Sequence, residues 1–203
     1  MKKFLLISMI ILTSSCSQAN EPIPKNATIV AFGDSLTYGF GASPNNSYPT
    51  LLSEITGYDI INSGLNGDTA RNGVQRIKSV VEKYNPSVVI VGIGGNDIIR
   101  RQSQNLEKDL NTIVSYLKSK DIKPILLSEP QPTILGNIIT VADSPIYERV
   151  ANKQDILLLD NIYSKYLADQ EYKSDLIHLN DSGYSRVAED IAARLKREGL
   201  FQY

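Results

Sequence analysis

The 203-residue chain carries one cysteine and one histidine. A lone Cys16 leaves no disulfide framework, and with only His178 beside it no His/Cys metal centre can be assembled. Sites built from carboxylates alone stay open on this count. No apolar run reaches the roughly 18 residues of a spanning helix. Charge of neither sign is concentrated: 21 Lys and Arg stand against 22 Asp and Glu, a net of -1. Without a basic stripe or an acidic tail, a nucleic-acid partner is not expected. There is no internal repeat and no low-complexity tract. A Walker loop is absent, and Gly92-Ile93-Gly94-Gly95 lacks the third Gly of a dinucleotide fingerprint, so no cofactor is expected. What is present, 42% hydrophobic residues, suits one domain with a sizeable core.

The first residues read as an export signal. Lys2 and Lys3 are followed by the apolar stretch Phe4 to Leu12 and then by small residues up to Cys16. Residues 1–19 are therefore set apart from the fold. Cys16 stands where bacterial lipoproteins carry the lipidated cysteine that becomes the mature N terminus. A cut after Ala19 by ordinary signal peptidase is the rival. Either outcome implies the periplasm or cell envelope, with membrane contact only through a lipid anchor at Cys16. Residues 20–26, with Pro22 and Pro24, read as an extended tether to a domain over 27–203.

From there strands and helices alternate. Thr28–Phe32, Tyr58–Ile61, Ser87–Ile93, Lys123–Ser128 and Asp155–Leu159 read as strands. Tyr48–Ile55, Thr69–Tyr84, Gln102–Lys118, Pro145–Asn152 and Ser182–Arg197 read as helices. Residues 130–144 read as a long apolar loop. The alternation predicts a three-layer α/β fold, a five-stranded parallel sheet of order 2-1-3-4-5 covered by helices on both faces. The loops leaving the strands then meet at one edge of the sheet.

Four of those loops carry chemistry. Ser35 follows the first strand. It suits a helix N-cap, or a nucleophile whose partners lie elsewhere. It is not in a Gly-x-Ser-x-Gly elbow, because Thr37 replaces the second Gly. His178 is the one imidazole that could activate it, and Asp175, three residues earlier, can hold that ring. Gly67 and Asn96 are turn residues by composition, and also donors suited to a developing oxyanion.

The blocks Phe32-Gly-Asp-Ser-Leu-Thr37, Asn66-Gly-Asp-Thr69, Gly94-Gly-Asn-Asp97 and Asp175-Leu-Ile-His178 resemble, in order, those of the SGNH or GDSL hydrolase family. The resemblance runs from Ala27 to the end of the chain. It is strongest to the bacterial thioesterase, lysophospholipase and arylesterase group. It implies a flavodoxin-like fold and a serine esterase acting on ester or thioester substrates, including lipids, through an acyl-enzyme. It assigns Ser35, His178 and Asp175 as nucleophile, base and orienting acid. The Ser35 N–H, the Gly67 N–H and the Asn96 amide become the oxyanion hole. Many relatives have Pro after the histidine, where this chain has Leu179. Ile134 and Ile138 in the 130–144 loop are candidates for an acyl-binding wall. A carbohydrate O-deacetylase is the rival within the fold. A non-catalytic envelope binding protein is the rival of another class.

Overall fold

In the computed structural model, residues 21–135 and 138–203 are described, 134, 135, 138 and 139 by their backbone alone. The expected signal segment and Cys16 lie outside the described residues.

In chain order the elements are β1 (Thr28–Gly33), α1 (Ser35–Tyr38), α2 (Tyr48–Thr56), β2 (Asp59–Gly64), α3 (Ala70–Tyr84), β3 (Val88–Gly92), α4 (Gly95–Ile99), α5 (Leu106–Lys118), β4 (Lys123–Leu127), β5 (Pro130–Leu135), β6 (Ile138–Asp143), α6 (Pro145–Gln154), β7 (Leu158–Leu159), α7 (Tyr163–Leu167) and α8 (Asp181–Arg197). The main sheet is parallel and runs β2-β1-β3-β4-β7. This is the expected order, with β7 as the fifth strand and an extra ribbon inserted before it.

Alternation along the strands explains the two cores. In β1, Ile29 and Ala31 face one helix layer while Val30 and Phe32 face the other. β3 does the same with Ile90 against Val89 and Val91. All four side chains of β1 from Ile29 to Phe32 are fully buried. Full burial of an aliphatic side chain contributes about 1.5–3 kcal/mol, so each of these strand residues is a sizeable part of the core. One layer is built from α2, α7 and α8, with Leu52, Tyr163 and Ile191 packed on the sheet. The other uses α3, α5 and α6, with Ile77, Leu110 and Val150.

Two expectations are corrected. Residues 130–144 are not a loop: β5 and β6 pair as an antiparallel ribbon, Pro130 opposite Asp143 and Pro132 opposite Val141. The prolines of β5 suggest a loop, but a two-stranded ribbon has free edges at which a missing N–H costs nothing. The second strand likewise runs on past the expected end at Ile61, to Gly64.

At the edge where β1 begins, the chain is clasped. Ile23 N–H donates to the Leu200 carbonyl at 2.9 Å, and the Tyr58 hydroxyl donates to the Ile23 carbonyl at 3.0 Å. The Tyr58 ring stacks on Phe201 with centroids 4.3 Å apart.

Candidate active site

The opposite edge, where the parallel strands end, gathers the four loops. Gly33 lets β1 stop abruptly. Its partner in the register is Gly92, and any Cβ on Gly33 would collide with the Gly92 carbonyl and with Thr37 Oγ1. The next residue, Asp34, caps α1, its Oδ1 accepting from Leu36 N–H at 3.1 Å. The cap is therefore Asp34 and not Ser35, which is left as the first helical residue with its hydroxyl free for other work.

That hydroxyl meets His178. Ser35 Oγ lies 3.0 Å from His178 Nε2, and Asp175 Oδ2 lies 2.8 Å from His178 Nδ1. An ionised Asp175 can only accept, so Nδ1 carries the proton and Nε2 is the acceptor for the serine hydroxyl. Asp175 is itself held in place, because its Oδ1 accepts from the Ile177 and His178 N–H groups, both at 2.8 Å. Its partial burial raises the carboxyl pKa, but the bonds from Ile177 and His178 outweigh that and hold it below the usual range. The Phe40 ring packs on the imidazole at 4.5 Å between centroids. Leu179, which stands in place of the Pro that the family resemblance leads us to expect in many relatives, is fully buried and pairs with Lys173 across a small antiparallel bridge. Packing and pairing thus supply the rigidity that a proline ring would. Asn180 caps α8 through Gly183 N–H at 3.0 Å, which fixes the loop from its other side.

Gly67 and Asn96 arrive from β2 and β3. Gly67 has φ 76°, a conformation that suits glycine. Among the described residues neither its N–H nor that of Ser35 donates to a protein acceptor. Asn96 sits in the first turn of α4, and its Nδ2 donates to the Asp68 carbonyl at 2.9 Å. One amide hydrogen is thereby spent on the Gly67 loop, and the second remains available. Asp97 Oδ2 accepts from Ala70 N–H at 2.9 Å and ties α4 to α3. Burial raises the Asp97 pKa.

Three further residues shape the site without carrying a motif that sequence could flag. Arg76 of α3 reaches under the loops. Its Nε pairs with Asp68 Oδ2 at 2.6 Å, its Nη2 donates to the Gly33 carbonyl at 2.7 Å and its Nη1 to the Ser63 carbonyl at 3.1 Å. Its guanidinium lies 3.8 Å from the Phe32 ring centroid. One side chain therefore braces the ends of both β1 and β2. Phe40 is the second. Glu129, just past β4, is the third: it is fully buried beside Asp34.

A cavity of about 480 Å³, measured out to its open mouth, leads down to Ser35, Asn96 and His178. Leu36, Ile99, Pro132, Val141, Leu167 and Leu176 make most of its wall apolar. The β5–β6 ribbon thus reaches the site through Pro132 and Val141. The expected wall residues Ile134 and Ile138 lie further along the ribbon, and their side chains are outside the described set.

Among known proteins, the sequence pattern of the GDSL-like lipase/acylhydrolase family matches residues 31–186. The thioesterase 1/protease 1/lysophospholipase L1 of Escherichia coli K12 is 30% identical over 173 residues, covering 83% of either chain. An arylesterase of Vibrio mimicus is 24% identical over 202 residues, 96% of this chain and 98% of that one. In three dimensions, the psychrotrophic esterase EstA of Pseudoalteromonas superposes with a TM-score of 0.74 over 85% of this chain and 98% of its own, at 17% identity, a likeness of fold. From the ordered loops at the sheet edge to the matched span, the chain belongs to the GDSL-like lipase/acylhydrolase family of serine hydrolases.

Proposed function

We propose that this chain hydrolyses carboxylic esters or thioesters through an acyl-enzyme on Ser35, and that its substrates carry an acyl or aryl group of apolar character. The Ser35–His178–Asp175 chain of contacts, at 3.0 and 2.8 Å, carries the reading. Ser35 Oγ attacks the substrate carbonyl while His178 Nε2 takes its proton, and Asp175 stabilises the imidazolium that results. The Ser35 N–H, the Gly67 N–H and the free hydrogen of the Asn96 amide converge on the developing oxyanion. His178 returns its proton to the leaving alcohol or thiol. A water, deprotonated by the same imidazole, then releases the acid.

The apolar wall supports aryl, fatty-acyl or lysophospholipid esters as the substrate class, in keeping with the named activities of the two relatives. For the cell, we propose an envelope location set by the export-like N terminus, with Cys16 as the point of lipid attachment. The first experiment is hydrolysis of p-nitrophenyl esters from acetate to palmitate by the wild type and by Ser35→Ala. Loss of turnover in the variant, with medium or long chains preferred by the wild type, is the expected result. Turnover of acetate alone would redirect the assignment to a deacetylase. A folded wild type inert on every ester would make the protein a binder.

A further inference from the structure

Glu129 stands just beyond the end of β4, at the same sheet edge as the nucleophile. It is 0% exposed, and Asp34 is 2% exposed. Neither Glu129 carboxyl oxygen has a hydrogen-bond partner among the described residues, and nor does Asp34 Oδ2. The two side chains converge on Gly95: a methyl group there would lie 3.0 Å from Glu129 Oε2 and 3.4 Å from Asp34 Oδ2. Both also line the cavity that opens on Ser35.

Among the described residues no basic side chain pairs with them, and only the Leu36, Gly94 and Gly95 N–H groups offset the Asp34 charge. The other ionisable groups that face Glu129 are Asp143 of β6, Tyr48 of α2, Tyr147 of α6, Tyr163 of α7 and Tyr184 of α8. No ion pair to either carboxyl occurs among the described residues. Two bare carboxylates buried side by side are not tenable, since desolvation and mutual repulsion both oppose ionisation. A metal ion is a poor substitute, because the described residues contain no group of three or more side chains able to hold one.

We infer that Glu129 is a positioning residue for acyl transfer: it is held as the neutral acid and shares its proton with Asp34. The inference rests on Ser35 being the nucleophile. Asp34 is bonded through Oδ1 to Leu36 N–H, so a proton holding Oδ2 fixes the peptide that presents the Ser35 N–H. Gly95, against which the pair packs, precedes Asn96. The shared proton therefore couples two of the three oxyanion donors from beneath.

The electrostatics agree in direction. Burial, with Asp34 and Asp143 adding to it, raises the Glu129 pKa well above the carboxylate range. Burial, with the facing Asp68 carboxylate adding to it, likewise pushes Asp34 up to about 7, against the Leu36, Gly94 and Gly95 N–H groups, which pull it down. Asp68 is itself paired with Arg76. A carboxyl with a raised folded pKa keeps a proton that the unfolded chain has already lost. Its contribution is thus complete below the unfolded value and is lost as pH rises through the folded one. The four tyrosines are pushed upward by burial, further from neutrality than usual, so they do not mimic this titration.

The test uses the full chain, p-nitrophenyl butyrate, and thermal melts from mildly acid to strongly alkaline pH. Glu129→Ala removes the donor and lowers kcat about tenfold at neutral pH with KM little changed, the scale of one lost hydrogen bond. Glu129→Gln supplies an amide donor with no proton to lose. It recovers most of that kcat, flattens the alkaline limb of the wild-type profile, and gains melting temperature relative to the wild type as pH rises. A wild-type alkaline limb preserved in Glu129→Gln would overturn the inference. So would wild-type kcat in Glu129→Ala at every pH. Loss of wild-type activity to EDTA and its return with Ca²⁺ or Mg²⁺ would put a cation where the proton is placed, and overturn it too. Were the wild type inert on every ester, the assignment of Ser35 would fail instead. The pH dependence of the melts would still report the proton.

Discussion

Asn96 shows what a single amide can decide. One amide hydrogen is bound to the Asp68 carbonyl and holds the Gly67 loop. With the other as the proposed oxyanion donor, Asn96→Ala removes a donor and a brace together. The expected loss is on the order of 100- to 1000-fold in kcat, read from steady-state kinetics against an unchanged circular dichroism spectrum. Asp175→Asn inverts the hydrogen bond at Nδ1 and leaves the wrong imidazole tautomer, for an expected fall on the order of 10⁴-fold in kcat. The same substitution has a stability consequence with a definite sign. The Asp175 pKa is lowered in the fold, so its stabilisation is present above the unfolded carboxyl value and disappears as pH falls through the folded one. The melting-temperature advantage of wild type over Asp175→Asn should therefore shrink in acid. At this scale the sequence was highly informative where residues cluster in short blocks. Ser35, Gly67, Asn96, Asp175 and His178 were all legible, and the structure brings them together. Arg76 and Glu129 were not, because a lone charged residue on a helix face or after a strand reads as solvated. Only the packing reveals that Glu129 is buried and that Arg76 is tucked, half-buried, under the loops.

At the level of elements, α3 and the β5–β6 ribbon are the informative cases. Periodicity located α3 to within a residue. What it could not show is that α3 delivers Arg76 beneath the ends of β1 and β2. Arg76→Ala leaves the buried Asp68 carboxylate unpaired and two backbone carbonyls bare, a change expected to cost about 3–5 kcal/mol in urea denaturation. Arg76→Lys should rescue little, since an ammonium cannot span those acceptors as a planar fork does. The ribbon was illegible because two prolines fall within β5 and because its pairing is local, with no helix period or sheet partner to announce it. Its contribution to the cavity predicts a specificity effect. Val141→Asp should lower kcat/KM for p-nitrophenyl decanoate more than for the acetate, measured on the same preparation.

For the molecule as a whole, the two reacting side chains are 143 positions apart in the chain. One is fixed at the end of β1 and the other by the loop leading into α8, and their neighbours Leu36 and Leu179 pack into the same core. Neither half of the site can persist without the common core. Activity and far-UV circular dichroism should accordingly be lost along one coincident curve in urea. The parallel order was legible at this scale because continuous apolar runs and right-handed crossovers leave few arrangements. The two-residue β7 was placed correctly in the order but overestimated in length, since Asp155 to Leu157 lie outside the sheet.

The clasp of Ile23 to Leu200 and Tyr58 has an orientational meaning. It lies where β1 begins, and Ser35 lies where β1 ends, about 20 Å away for a six-residue strand. Ile23 thus sits at the pole opposite the cavity that opens on Ser35. A membrane holding the protein by that end would therefore see its back. The mouth would look away from that surface, toward esters and lysophospholipids that reach it by diffusion.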